Sequence, residues 1–158
     1  MQEQHGEPTP EQKQILADIV ALGAHIAHVP ASDDWPEYSY TAGLTTTFGH
    51  PELILFGLEP ESAEALLDAL IDEIDEGRRF LVGSEHEGLL RNYPLRIHGV
   101  PSAMMETILP RALWASGGVA TAVQLVWPDK QGRWPWQDDV REGFAELQPV
   151  LDRLAPDA

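Results

Sequence analysis

Four consecutive apolar residues, Leu53-Ile54-Leu55-Phe56, constrain this chain more than any other stretch of it. Side chains of a strand point alternately to its two faces, so a strand apolar at every position has to be covered on both, as a central strand is. A helix pattern comes next along the chain: Pro60 suits the first turn, Ala63, Leu66, Leu67, Leu70, Ile71 and Ile74 recur at helical spacing, and Gly77 ends it. The segment Thr9–Leu22 repeats the logic at the N-terminal side. Thr9 is set to cap, Pro10 to lead, Gln12 to complete a capping box, Ile15, Leu16, Ile19, Val20 and Leu22 to form one apolar face, and Gly23 to stop the helix.

The remaining pattern is of short strands. Ala24–Val29 reads as one, followed by the turn Pro30–Asp34. Tyr38–Leu44 alternates, with Tyr38, Tyr40, Ala42 and Leu44 on one face and Ser39, Thr41 and Gly43 on the other, and Thr45–Pro51 reads as a loop. Arg78–Val82 is expected as a strand, Gly83–Asn92 as a polar loop, and Leu95 to His98 as a half-exposed strand. Ser102 opens a helix with Met105, Ile108, Leu109, Ala112 and Leu113 inward, which Pro110 must kink or split. Gly117-Gly118 breaks it before a strand over Val119–Trp127, and a weak helical pattern at Val140, Phe144 and Leu147 is interrupted by Pro149. The expected fold is therefore α+β: one domain over residues 1–158, a mainly antiparallel sheet flanked by three to four helices, and flexible tails at 1–8 and 150–158. The many short strands also fit a curled or barrel-like sheet.

Composition removes several classes of function. Ten Lys and Arg against 26 Asp and Glu leave a formal charge of −16, and such a surface repels phosphate backbones and anionic lipid, so neither nucleic acid nor membrane is an expected partner. With no cysteine there is no disulfide scaffold, thiolate metal site or cysteine nucleophile. The chain has no stretch of apolar residues long enough for a membrane helix and no signal region at Met1–Pro8, which points to the cytoplasm. Nucleotide-binding glycine loops and the hydrolase elbow are missing as well.

Five clusters carry chemistry by residue type. His25 and His28 are spaced so that a strand sends them to opposite faces, which defeats a shared metal, and no metal site is expected. His50, in Gly49-His50-Pro51-Glu52 just before the covered strand, is the best catalytic candidate, a general acid or base with Glu52 as its orienter; the competing reading is a loop histidine that caps backbone groups. Thr41, Thr45, Thr46 and Thr47 around Gly43 offer hydroxyls and close backbone approach to a phosphate or carboxylate. Trp127, Trp134 and Trp136, with Arg133 between them, form an aromatic edge where arginine can stack on indole or clamp an anion, or which simply closes the core. Glu106 and Arg111 flank Pro110 without suggesting a mechanism.

At Tyr40-Thr41-Ala42-Gly43-Leu44-Thr45, His50-Pro51-Glu52-Leu53, Phe56-Gly57-Leu58 and Gln124-Leu125-Val126-Trp127…Gly132-Arg133-Trp134-Pro135-Trp136, the chain resembles the bacterial domain of unknown function 4262 family. The resemblance spans Ile15 to Trp136 and implies a soluble bacterial protein, with no activity to transfer. Several members of the family start with a cysteine pair that this chain does not have. A topological likeness to flavin-binding split barrels over Ile26–Gly77 implies a flavin phosphate held by the strand ends and the adjoining loop. Tyr40–Leu58 contains no Lys or Arg, so Arg78, Arg79 or Arg96 would have to supply the charge.

These readings leave three functions. The first is a ligand- or protein-binding accessory module whose cleft lies between Thr41–Glu52 and Arg133–Trp136, with Tyr40, Thr41, Thr45, His50, Arg133, Trp134 and Trp136 as ligand contacts. The second is a flavin-dependent oxidoreductase using the same cleft. The third is an acidic inhibitor or immunity-type protein acting on a basic partner. The expected partner is a small molecule or a protein, and the exposed tryptophan edge makes a homodimer conceivable.

Overall fold

The computed structural model describes residues 7–90 and 92–154. Its centre is an open six-stranded sheet in the order β1-β2-β3-β6-β5-β4. In chain order β1 is His25–Val29, β2 Tyr38–Ala42, β3 Glu52–Phe56, β4 Glu85–Leu90, β5 Tyr93–Gly99 and β6 Ala122–Val126. Neighbours are antiparallel except β3 and β6, which pair in parallel with Glu52 opposite Ala122. The fold is α+β as expected, but the sheet has two free edges and does not close into a barrel.

The helices are α1 (Pro10–Leu22), α2 (Leu44–Phe48), α3 (Pro60–Asp75), α4 (Met105–Ile108), α5 (Pro110–Ser116) and α6 (Phe144–Leu147). One sheet face takes α3: Leu53, Leu55, Val123, Leu125, Leu95 and Ile97 pack against Ala63, Leu66, Leu67, Leu70, Ile71 and Ile74, with Phe80 beside them. The other face takes α4, α5 and the C-terminal segment: Tyr38, Tyr40, Ala42, Ile54, Phe56 and Ala122 meet Met105, Ile108, Leu109, Ala112 and Leu151. This three-layer arrangement is why Leu53-Ile54-Leu55-Phe56 is apolar throughout, since each face of β3 has its own core.

Local signals that depend on nearby residues are realised. Thr9 and Gln12 close the capping box of α1, Gly23 ends it in the left-handed region, and Pro110 splits α4 from α5. Four expectations are corrected. The face of α1 buries Ile15 alone, and Leu16, Val20 and Leu22 are exposed. The loop expected after β2 contains α2. The strand expected at Arg78–Val82 is a loop, and the polar stretch after it supplies β4, an edge strand with a register shift between His86 and Leu90. Residues 150–154 are not a free tail: Val150 and Leu151 are buried and Leu151–Arg153 forms a 3-10 turn. Of the rest of the expected tails, Glu7 and Pro8 are exposed and belong to no helix or strand, and 1–6 and 155–158 lie outside the described residues.

Candidate functional site

The strand ends at Thr41–Glu52 are solid protein. Glu52 is fully buried, and its carboxylate accepts from the backbone N–H groups of Gly43, Leu44 and Thr45 at 3.2, 3.1 and 2.9 Å. The hydroxyls of Thr41 and Thr45 donate to it at 2.8 and 2.7 Å. Burial pushes this carboxyl upward, and the Thr45 and Thr41 donors oppose that shift. All five neighbours donate, so the oxygens act as acceptors, as an ionised carboxylate does. Gly43 makes the arrangement possible: it sits at φ 110°, and a Cβ there would lie 2.6 Å from Ile19. The donors of Thr41, Gly43, Leu44 and Thr45 in the expected phosphate site are therefore spent on a carboxylate of the chain itself, while Thr46 and Thr47 stand exposed on α2 outside this arrangement. Tyr40 is likewise a core strut, buried, with its hydroxyl accepting from the Arg111 N–H at 3.2 Å.

His50 is buried and takes the capping role. Its Nδ1–H donates to the Pro51 carbonyl at 2.7 Å and its Nε2 accepts from the Phe80 N–H at 3.0 Å, which leaves no nitrogen for proton transfer; Glu52 does not touch it. Burial and the charge of Arg79 hold this imidazole below its ordinary value, against the Pro51 contact. His86 is lowered too, by burial and then Arg78. Both rings resist protonation in the fold, while the unfolded chain takes up protons below about pH 6.5. Their contribution to stability is complete above that pH and is lost as pH falls toward the lowered folded values. The melting temperature should therefore drop as pH falls below about 6.5, and His50→Asn should make the drop shallower. An unchanged slope in a pH series of thermal melts would contradict this role for His50.

The aromatic edge is built differently. Asp129 is buried and accepts from the N–H groups of Gln131 and Arg133 at 2.9 Å each and of Arg141 at 3.3 Å. Burial raises its pKa, but these donors outweigh burial and the net shift is downward. This buckle fixes the turn that delivers Trp134 and Trp136, whose rings lie parallel with centroids 5.6 Å apart. From β5, the Arg96 guanidinium lies 4.3 Å from the Trp134 ring centre and 5.7 Å from that of Trp136. From the C-terminal turn, Arg153 lies 4.6 Å over Trp136. His98 packs on Trp136 at 5.3 Å, and its Nδ1–H donates to Asp152 at 3.0 Å. A groove of about 270 Å³ runs alongside, lined by Val82, Ser84, Arg96, His98 and Asp152 among others.

The two halves of the expected cleft do not meet. Glu52 lies opposite Ala122 on β6, whereas Arg96 lies opposite Val126 from the other side of that strand. Four residues of strand put them roughly 13 Å apart along the sheet. Trp127 goes with neither half, because its indole N–H donates to the Phe56 carbonyl at 3.0 Å and its ring meets Phe144 edge-on. Arg133 and Trp136 are partly exposed and Trp134 is buried. Arg96, His98, Asp152 and Arg153 complete this shelf; in the sequence Arg96 stood out only as a charge for a flavin phosphate, and the other three looked like ordinary strand and tail residues.

Accounting for donors and acceptors singles the shelf out. His25 spends its nitrogens on Asp18 and Arg111, His28 on Ser39 and Glu64, His50 on two backbone groups, and His86 on Arg78 and Ser84. Among the described histidines, His98 alone keeps a ring nitrogen, Nε2, without a partner among the described residues. The nearby carboxylates are taken: Glu85 by Arg96, Asp139 by Arg133, and Asp152 by His98. Arg153 has a ring beneath it and no oxygen acceptor among the described residues. Ser84 is no nucleophile in this arrangement, because Arg78 donates to Nδ1 of His86, forcing Nε2–H to donate toward the serine rather than to take its proton.

The opposite side of the molecule is acidic. Two grooves of about 380 and 480 Å³ between α1, β1 and α3 share Glu64 and Asp68, and Asp18, Asp72 and Glu61 also line them. Burial and then the flanking Glu64 and Asp72 raise Asp68. No cluster of three His, Asp or Glu able to hold a metal occurs among the described residues, and no described helix is long and apolar enough to cross a membrane.

Comparison with protein families finds that the model of a domain of unknown function, DUF4262, matches residues 18–141. Comparisons with curated proteins and with solved structures found no match.

Proposed function

The chain belongs to the DUF4262 family, and on that premise we propose that it is a binding module which takes an anionic ligand on the shelf of Trp134, Trp136, Arg96, His98 and Arg153. The observation that carries this reading is Arg153, a guanidinium over Trp136 with no oxygen acceptor among the described residues, in a chain of net charge −16. Lys13, Lys130 and Arg141 also have no side-chain acceptor among the described residues, Arg141 lying over the Phe144 ring, but Arg153 alone of these sits on the stacked Trp134–Trp136 pair. Here a cation, a free imidazole nitrogen and flat indole surface stand together. A carboxylate or phosphate carried by an apolar or aromatic body supplies the acceptor that the guanidinium lacks, since guanidinium pairs with such groups bidentately and indole covers the body. Nε2 of His98, an acceptor when Nδ1–H is given to Asp152, is left for an N–H or O–H of the ligand. The flavin alternative has no such support at Thr41–Thr45, where the donors are already engaged by Glu52.

Titration of the labelled protein with benzoate, acetate and inorganic phosphate, followed through the five tryptophan indole N–H signals by NMR, tests this. Benzoate should move the Trp134 and Trp136 signals saturably and acetate should do so more weakly. Arg153→Ala should weaken benzoate binding about tenfold, the worth of one charge-assisted hydrogen bond. Shifts centred on Trp35 or Trp114, or an Arg153→Ala variant that binds unchanged, would place the ligand elsewhere.

A further inference from the structure

Leu81 and Val82 have no structural reason to be exposed, yet they stand 58% and 63% accessible on the loop that borders the same groove. Their neighbour Phe80 is core, so the loop already has its anchor. The loop is also held rigid: Gly83 N–H donates to the Ile97 carbonyl at 2.8 Å, Ile97 N–H to Ser84 at 3.0 Å, and Ser84 N–H to Leu81 at 3.0 Å. Leu154, 51% exposed, follows Arg153 directly. The indole N–H of Trp134 is a further unspent donor, on a residue only 8% exposed, with no acceptor among the described residues.

Resting on the shelf reading, we infer that the natural occupant is a segment of another protein in which acidic and apolar side chains stand side by side. Two comparisons favour a protein segment over a free small molecule. The groove, at about 270 Å³, is smaller than sites that enclose small ligands, which run from about 300 to 1,000 Å³ and bury most of the ligand. The surface around it joins arginine and tryptophan, residue types enriched at interface hot spots, to the exposed aliphatic side chains of Leu81 and Val82. Charge complementarity sets the chemistry of the occupant: Arg153 takes its carboxylates, Nε2 of His98, an acceptor while Nδ1–H is given to Asp152, takes an N–H of its chain, and Leu81 and Val82 take its apolar side chains. Preformed loop geometry means that little ordering entropy is lost on docking.

The experiment uses a fluorescein-labelled octapeptide alternating leucine and glutamate, read by anisotropy against the full chain, with benzoate as the reference ligand. The peptide should bind more tightly than benzoate, Val82→Asp should weaken the peptide at least about tenfold, and the uncharged change Leu81→Ser, outside the groove lining, should weaken the peptide while leaving benzoate binding unchanged. Arg153→Ala should weaken both. If the peptide binds no better than benzoate, if Val82→Asp leaves it unaffected, or if a leucine–lysine peptide binds equally well, the protein-segment inference fails and the shelf reading stands. If neither peptide nor benzoate binds, both fail. Self-association in sedimentation that Val82→Asp abolishes would instead assign the surface to a second copy and overturn the inference.

Discussion

Glu52→Ala should lower folding stability by about 3–5 kcal/mol, the cost of stranding donors arranged around a buried charge. Three backbone N–H groups and two hydroxyls converge on this carboxylate. Two of those N–H groups belong to α2, a helix of five residues that is too short to persist without a cap. The damage does not stay local, because the Thr41 hydroxyl that donates to Glu52 also accepts the Leu53 N–H at 2.9 Å and so ties β2 to β3. Glu52→Gln separates shape from charge. Its amide nitrogen would face donors where an acceptor is required, so the isosteric change should still cost about 2–3 kcal/mol. Urea denaturation of both variants measures this. A glutamine variant within about 0.5 kcal/mol of the parent, the size of an ordinary surface change, would mean that the ionised carboxylate is not what holds the loop.

The same residue shows where sequence reading stops. The cap of α2 follows its helix in the chain, and Leu44-Thr45-Thr46-Thr47-Phe48 contains weak helix formers, so nothing local announces the element. β4 is invisible for a related reason: an exposed edge strand reading Glu85-His86-Glu87-Gly88 needs no apolar alternation, only the backbone of β5 to pair with. By contrast β3 and α3 were legible because periodicity is a local property, and all six apolar positions expected on α3 are buried. Periodicity misled at α1, whose apolar stripe is real but mostly uncovered, and at Leu44, which alternation put on the face of Tyr38, Tyr40 and Ala42 but which opens α2 and packs in the other core. The candidate site divides along the same line. Arg133, Trp134 and Trp136 declared themselves as a contiguous cluster, whereas His98 and Asp152 are 54 residues apart and become partners only through the sheet and the returning C-terminal segment. His50 attracted attention by its position at a strand end, but whether a histidine is catalytic depends on which of its nitrogens remain free.

That C-terminal segment makes the second large prediction. Gln124 is buried on β6, its Oε1 accepting the Leu151 N–H at 2.8 Å and its Nε2 donating to the Pro149 carbonyl at 2.7 Å. Gln148 holds the backbone of Trp127 in the same way, at 2.9 and 2.8 Å. Two glutamines thus do for this segment what a seventh strand would have done with its backbone. Gln124→Ala leaves a buried N–H and a buried C=O without partners, at about 1–3 kcal/mol each, so a loss of roughly 2–5 kcal/mol is expected in urea denaturation. The change should reach further than stability, because Asp152 and Arg153 follow Leu151 and sit correctly only while that residue is pinned. In protein that is still folded, Gln124→Ala should therefore weaken benzoate binding and speed hydrogen exchange at the Leu151 N–H, although Gln124 is buried beneath the segment rather than part of the shelf. Normal binding and slow exchange in this variant would show that burial of Val150 and Leu151 alone secures the segment. Weakened binding in a folded variant would instead tie the shelf to a single buried amide in the sheet.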